Sequence, residues 1–167
     1  MNKEIVSNVS PNNETQVRSI FNSLLQSWNN HNAREFAALF VADGNTIGFD
    51  GSQMNGRQEI ENQLKQIFHD HKVASYVGVV KEVRQLSPTI YLLRSVAGMI
   101  PPGQKKIKQD VNAIQTLILQ KDNDDSHFLI TLFQNTPAAF HGRPELSAQL
   151  TEELQQAADR RVSGNHK

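Results

Sequence analysis

The sequence predicts an α+β fold, and three features of its 167 residues carry the prediction. Two amphipathic helical faces come first, Val17-Ile20-Phe21-Leu24-Leu25-Trp28 and Phe36-Leu39-Phe40, spaced at steps of three and four. Apolar strands dominate the second half. In the strand at 113–119 both parities are apolar, with Ile114, Thr116 and Ile118 on one side and Ala113, Leu117 and Leu119 on the other. A sheet with one wet face alternates more cleanly, so both faces of this one are expected to be covered. N-terminal helices segregated onto a curved antiparallel sheet give a layered α+β architecture.

Each element follows from local signals. Residues 1–12 are polar, include Pro11 and read as a mobile leader. The first helix is expected from Asn13 to Asn30, with Asn13 as its cap and Gln16 at the third helical position. A shorter helix follows, with Asn32 as cap and Glu35 three residues on, stopped by Asp43-Gly44. Asp50-Gly51, between two short apolar runs, predicts a tight hairpin. Asn55 is then expected to cap a third helix with Ile60, Leu64, Ile67 and Phe68 on one face, and Arg57 to pair with Glu61 one turn later.

Four antiparallel strands are expected next, at Val73 to Leu86, Thr89 to Ile100, Asp110 to Gln120 and His127 to Thr136. The last two form a hairpin around Lys121-Asp122-Asn123-Asp124-Asp125. Pro144 suits a first helical position, and Leu146, Leu150 and Leu154 line one side of a C-terminal helix. The chain thus divides into a leader at 1–12, an α+β domain at 13–137, and a connector with an extra helix at 138–167.

Composition narrows the function classes. Lys+Arg and Asp+Glu both number 17, so no net charge favours nucleic acid or an anionic membrane, and little charge opposes self-association. The absence of cysteine removes thiolate metal sites and cysteine nucleophiles. His69 and His71 flank Asp70 at the end of a helix with no third ligand in view, so no metal site is expected. Met1 to Ser7 lacks the apolar run of a signal peptide, and no stretch approaches the roughly 18 apolar residues that span a bilayer. A cytoplasmic protein is the expectation.

Several segments carry a resemblance. They are Trp28-Asn29, Phe40-Val41-Ala42-Asp43, Asp50-Gly51, Gly56-Arg57-Gln58-Glu59-Ile60, Arg94 to Gly103, and Phe133 to Pro144. On these the chain resembles the nuclear-transport-factor-2-like superfamily over about residues 14–145, and within it the SgcJ/EcaC family beside the SnoaL-like proteins. The resemblance implies a cone with an apolar cavity between sheet and helices, and a homodimer through the outer sheet face. Ketosteroid isomerases are among these relatives, but their mechanism does not carry over. Gly48-Phe49 stands where they have a base, apolar residues such as Leu24 where they have a tyrosine, and Asn112 near their second acid. Nor does any nicotinamide or flavin motif appear, so no cofactor is expected.

The candidate ligand-binding residues are Arg94, Asn112, Gln134 and Trp28. Arg94 interrupts an apolar strand, where a guanidinium needs either a carboxylate partner at the barrel mouth or dimer face, or an anionic ligand group. Asn112 and Gln115 fall on opposite faces of one strand, as do Gln134 and Asn135 of the next. The resemblance favours Asn112 as the inward residue of the first pair. Trp28 ends the apolar face of the first helix, in the core or along the pocket. Two function classes follow. One is a cofactor-free enzyme for proton transfer, dehydration or hydrolysis of a small apolar or amphipathic molecule, with no base identified. The other is a non-catalytic ligand-binding or dimerisation module.

Overall fold

The computed structural model describes residues 9–122 and 127–164. The first eight residues of the expected leader, and Asn123, Asp124 and Asp125 of the expected hairpin tip, lie outside them. Helix α1 spans Pro11–Asn29. It begins two residues before the expected position because Ser10 and Pro11, not Asn13, make its start. The Ser10 hydroxyl accepts from the Asn13 N–H at 3.2 Å, and proline is tolerated where the amide has no helical partner. Helix α2, Ala33–Ala38, is capped as anticipated, with Asn32 Oδ1 accepting from the Glu35 N–H at 3.0 Å.

Phe40-Val41-Ala42-Asp43 are strand, not the tail of α2. Strand β1 covers Phe40–Ile47 and β2 covers Gln53–Asn55. Gly44 is therefore no helix stop. It sits where the pairing of β1 with a later strand slips, and a Cβ there would lie 3.0 Å from the Ile130 carbonyl oxygen. The Asp50-Gly51 turn is looser than a two-residue hairpin. The Gly51 N–H donates to the Gly48 carbonyl, Gly51 takes a positive φ of 88°, and the Gly48 N–H donates to the Ser52 carbonyl. This is a three-residue loop closed by a glycine in the left-handed region.

Helix α3, Arg57–Asp70, has Gly56 at its cap position without a side-chain cap bond. Asn55 belongs to β2, and its N–H donates to the Glu59 carboxylate at 2.6 Å. Arg57 does not pair with Glu61. Its guanidinium donates twice to the Phe40 carbonyl, at 2.9 and 2.5 Å, while Glu61 pairs with Lys65.

Strands β3 (Ser75–Gln85), β4 (Ile90–Ile100), β5 (Ala113–Lys121) and β6 (Phe128–Pro137) form the expected antiparallel run, with one 3₁₀ turn at Gln109–Val111. The sheet order is β2-β1-β6-β5-β4-β3, and the sheet is curved without closing. Because β1 pairs parallel to β6, the sheet is mixed rather than wholly antiparallel.

Two cores sit on opposite faces of the sheet. On the inner face, Val17, Phe21, Leu24 and Leu25 of α1 meet Val83, Tyr91, Leu93, Leu117, Leu119 and Ile130. Gly78 of β3 makes room for that contact, since a Cβ there would fall 2.6 Å from Leu25 and 2.8 Å from Phe21. On the outer face, α4 (Pro144–Gly164) buries Leu150, Leu154 and Ala158 against Val77 and Val96, with Ile107 alongside. The leucine stripe therefore packs on its own chain. An ion pair from Lys81 of β3 to Glu153 supports the seat.

Leu154 is fully buried above Gly98, so Leu154→Ala leaves a void that the sheet cannot fill. A loss of about 2–5 kcal/mol is expected, seen as a lower urea midpoint. A value near zero would mean that α4 is a dispensable appendage.

Candidate functional site

The inner core fills only part of the space between helices and sheet. At one end Tyr91 and Phe128 close the interior edge to face, and Asn13 Nδ2 donates to the Tyr91 hydroxyl at 2.9 Å. At the other end a cavity of about 340 Å³ remains. Its walls come from every layer: Trp28 of α1, Phe36 of α2, Leu64 and Ile67 of α3, Met54 of β2, and Tyr76, Met99 and Phe133 of the sheet. The Thr46–Ser52 stretch of β1 and its turn frames it, with Phe49 partly exposed.

The aromatic wall is built outward from Trp28. Its ring meets Phe68 at 5.2 Å and Tyr76 at 5.3 Å, both edge to face, and Phe36 at 6.4 Å. The indole N–H donates to the Ala74 carbonyl at 2.9 Å, which fixes the ring's orientation. Phe36 in turn stacks on Phe40 and meets Phe133.

Polar groups are few and mostly satisfied. Ser95, Gln115 and Asn135 lie directly opposite one another on β4, β5 and β6 and are all buried. Ser95 Oγ donates to Gln115 Oε1 at 3.3 Å, Gln115 Nε2 to Asn135 Oδ1 at 2.9 Å, and Asn135 Nδ2 to the Ile47 carbonyl at 3.2 Å. Asn135 reaches the cavity. Tyr76 also lines it, and no hydrogen bond to its hydroxyl occurs among the described residues. Among the described residues Asp50 is the one carboxylate on the lining. It sits at the exposed turn, where the Ser52 N–H and hydroxyl bond its two oxygens and hold it below the usual aspartate value. Among the described residues no arginine, lysine or histidine lines the cavity.

The four residues singled out from sequence separate. Trp28 lines the cavity, but Arg94, Asn112 and Gln134 do not. Arg94 points outward and is exposed, with its guanidinium 3.1 Å from Glu82 on the neighbouring strand. Gln134 shares that outer row, opposite Thr116, which is itself opposite Arg94. Asn112 is buried beneath α4, where its Nδ2 donates to the Thr151 hydroxyl at 2.9 Å.

In each amide pair the inward member is the other one, Gln115 and Asn135. Parity signals only that the two members of each pair face opposite ways. Gln115 shares its face with Ala113, Leu117 and Leu119, the fully buried row of β5, and Asn135 shares its face with Phe133. Among the described residues no cluster of three or more His, Cys, Asp or Glu is placed to hold a metal ion.

Burial pushes the Tyr76 phenol from 10.0 up to about 12. Below pH 10 the phenol is neutral whether folded or unfolded and costs nothing. Above it the unfolded chain ionises first, so stability should fall as pH rises from 10 towards about 12. Urea unfolding of wild type and Tyr76→Phe across that range checks this, and the variant should show the shallower decline.

No family model matches the chain, and no curated protein matches it. Solved structures do. A domain of unknown function with a cystatin-like fold from Nostoc punctiforme superposes with a TM-score of 0.73 at 22% identity, covering 95% of this chain and 100% of that one. An NTF2-like protein with a cystatin-like fold from Novosphingobium aromaticivorans gives 0.62 at 8% identity, over 81% and 88%. A ketosteroid isomerase-like protein from Erwinia carotovora atroseptica gives 0.59 at 14%, over 75% and 95%. At these identities the likeness speaks for architecture: helices on a curved six-stranded mixed sheet, with a C-terminal helix added, are the nuclear-transport-factor-2-like, cystatin-like fold.

Proposed function

We propose that the chain is a receptor for a small, uncharged, largely apolar molecule held in the cavity beside Trp28. The observation that carries this reading is the lining itself. Aromatic and aliphatic side chains surround about 340 Å³, and among the described residues the one ionisable group on the lining besides Tyr76 is a rim aspartate already occupied by Ser52. Desolvated apolar walls with a few fixed polar atoms suit a neutral ligand. An anion would meet no counter-charge.

General acid or base catalysis would need a group that titrates near neutrality beside the ligand. The Ser52 hydrogen bonds hold the Asp50 carboxyl below its usual value and burial pushes the Tyr76 phenol up to about 12, which favours binding without turnover over an isomerase, dehydratase or hydrolase. Within the fold, the resemblance carried by the Arg94 to Gly103 and Phe133 to Pro144 segments supports a reading of the chain as SgcJ/EcaC-like. The cytoplasm is taken as its compartment; no helix among the described residues is long and apolar enough to cross a membrane.

The rest of the outer sheet face supports a second element of the proposal, a homodimer. Helix α4 sits on Val77, Val79, Val96, Ile100 and Ile114, which leaves Ile118, Leu129 and Leu132 half-buried beside Thr116 and Gln134. A second copy laid on this row would cover both apolar parities of β5.

Isothermal titration calorimetry with indole and indole-3-carboxylate tests the receptor reading. Indole should bind at least tenfold more tightly, because the cavity offers the carboxylate no counter-charge. Equal affinities, or tighter carboxylate binding, would overturn it. For the dimer, sedimentation of wild type should give twice the chain mass, and Ile118→Lys with Leu132→Lys should return a folded monomer. A monomeric wild type removes that element and leaves the receptor intact.

A further inference from the structure

Resting on the receptor reading above, we infer that Asn135 is the specificity residue of the cavity: it donates a hydrogen bond to a carbonyl oxygen on the ligand, and Gln115 and Ser95 hold it in donating orientation. An amide side chain in isolation could present either its oxygen or its nitrogen to a ligand. Here the choice is already made by the chain. The row Ser95-Gln115-Asn135 ends at the Ile47 main-chain carbonyl, which can only accept.

Asn135 must therefore turn its nitrogen to Ile47, which turns its oxygen to the Gln115 nitrogen. The Gln115 oxygen then faces Ser95, whose hydroxyl can donate. Reversing either amide would set two acceptors against each other at 2.9 or 3.2 Å. The polarity of the whole row is thus set at its Ile47 end.

That row leaves one group without a partner at the cavity. The Asn135 nitrogen carries two N–H bonds, one given to Ile47, and no described residue accepts the other. Its oxygen is engaged by Gln115. A ligand beside Asn135 therefore meets a donor, strengthened by the aligned amides behind it. The ligand chemistry that answers a single fixed donor among aromatic walls is a neutral ring system bearing a ketone, quinone or aldehyde oxygen. A hydrocarbon of the same shape leaves the N–H unmatched.

The test uses Trp28, the single tryptophan of the chain, which lines the cavity and reports its occupancy. Emission is titrated with 1-tetralone and with tetralin, one skeleton with and without the carbonyl. Wild type should bind the ketone about five- to tenfold more tightly, as one neutral hydrogen bond implies. Asn135→Leu should bind the two alike, with tetralin affinity retained as proof of an intact pocket. Gln115→Met, which frees Asn135 to rotate, should lower tetralone affinity while leaving that for tetralin unchanged. Tyr76→Phe should keep the ketone preference.

Equal binding of the two probes by wild type, or a preference that survives Asn135→Leu, overturns the inference while the receptor reading stands. Loss of the preference in Tyr76→Phe overturns it as well, by assigning the donor to the phenol. If Asn135→Leu loses tetralin too, Gln115→Met decides. Failure of both probes to move the wild-type emission sinks the receptor reading itself and the inference with it.

Discussion

How closely α1 lies on β3 governs the rest of the molecule. Gly78 lets Phe21 and Leu25 settle into the strand, closer than any Cβ would permit. Further along, the Asn29 carboxamide bonds both the N–H and the carbonyl of Tyr76, at 2.7 and 3.0 Å, and the Trp28 indole holds Ala74. These contacts fix the distance and rotation of the helix together. They seat its last turn so that Trp28 meets Tyr76 edge to face and the pair becomes a wall. A helix standing further off would flood the space with water, and one lying flatter would fill it with side chains.

Polar atoms are distributed with the same strictness. Ionic groups stay outside: Arg94 with Glu82, Lys81 with Glu153, Arg18 with Glu14. Three buried polar residues on the inner face, Ser95, Gln115 and Asn135, answer one another across three strands rather than meeting water. Such a row is tolerated in a low-dielectric interior because each member bonds the next, and it makes the orientation of its last amide a property of the sheet instead of a free rotation.

Much of this was legible in the sequence, and the misreadings share one physical origin. Apolar residues at steps of three and four located α1 and α3, because helical periodicity survives whatever packs against it. Local bonding located the α2 cap at Asn32, but Phe40 to Asp43 looked like helix because Phe36, Leu39 and Phe40 share a helical spacing. What makes them strand is β6, a partner about ninety residues away. The outer face was harder still. Alternation states that Gln115 and Asn112, or Asn135 and Gln134, face opposite ways, yet it does not name the inner side. That depends on where α1 and α4 lie, and the weight given to Asn112 and Gln134 fell on the wrong side of the sheet. Arg94 shows the converse: its need for a carboxylate partner or an anionic ligand group could be read directly, and Glu82 supplies the carboxylate from the next strand.

Asn29 has a consequence for assembly. Strand β3 is a margin of the sheet, and an open margin offers a template on which a stray strand can extend the ladder. By occupying the outward donor and acceptor of Tyr76, the carboxamide imitates the missing neighbour, and the Arg161 guanidinium caps the same carbonyl from α4 at 3.3 Å. Lateral growth is blunted there, so encounters between copies are steered to broad surfaces and away from fibrillar zippering.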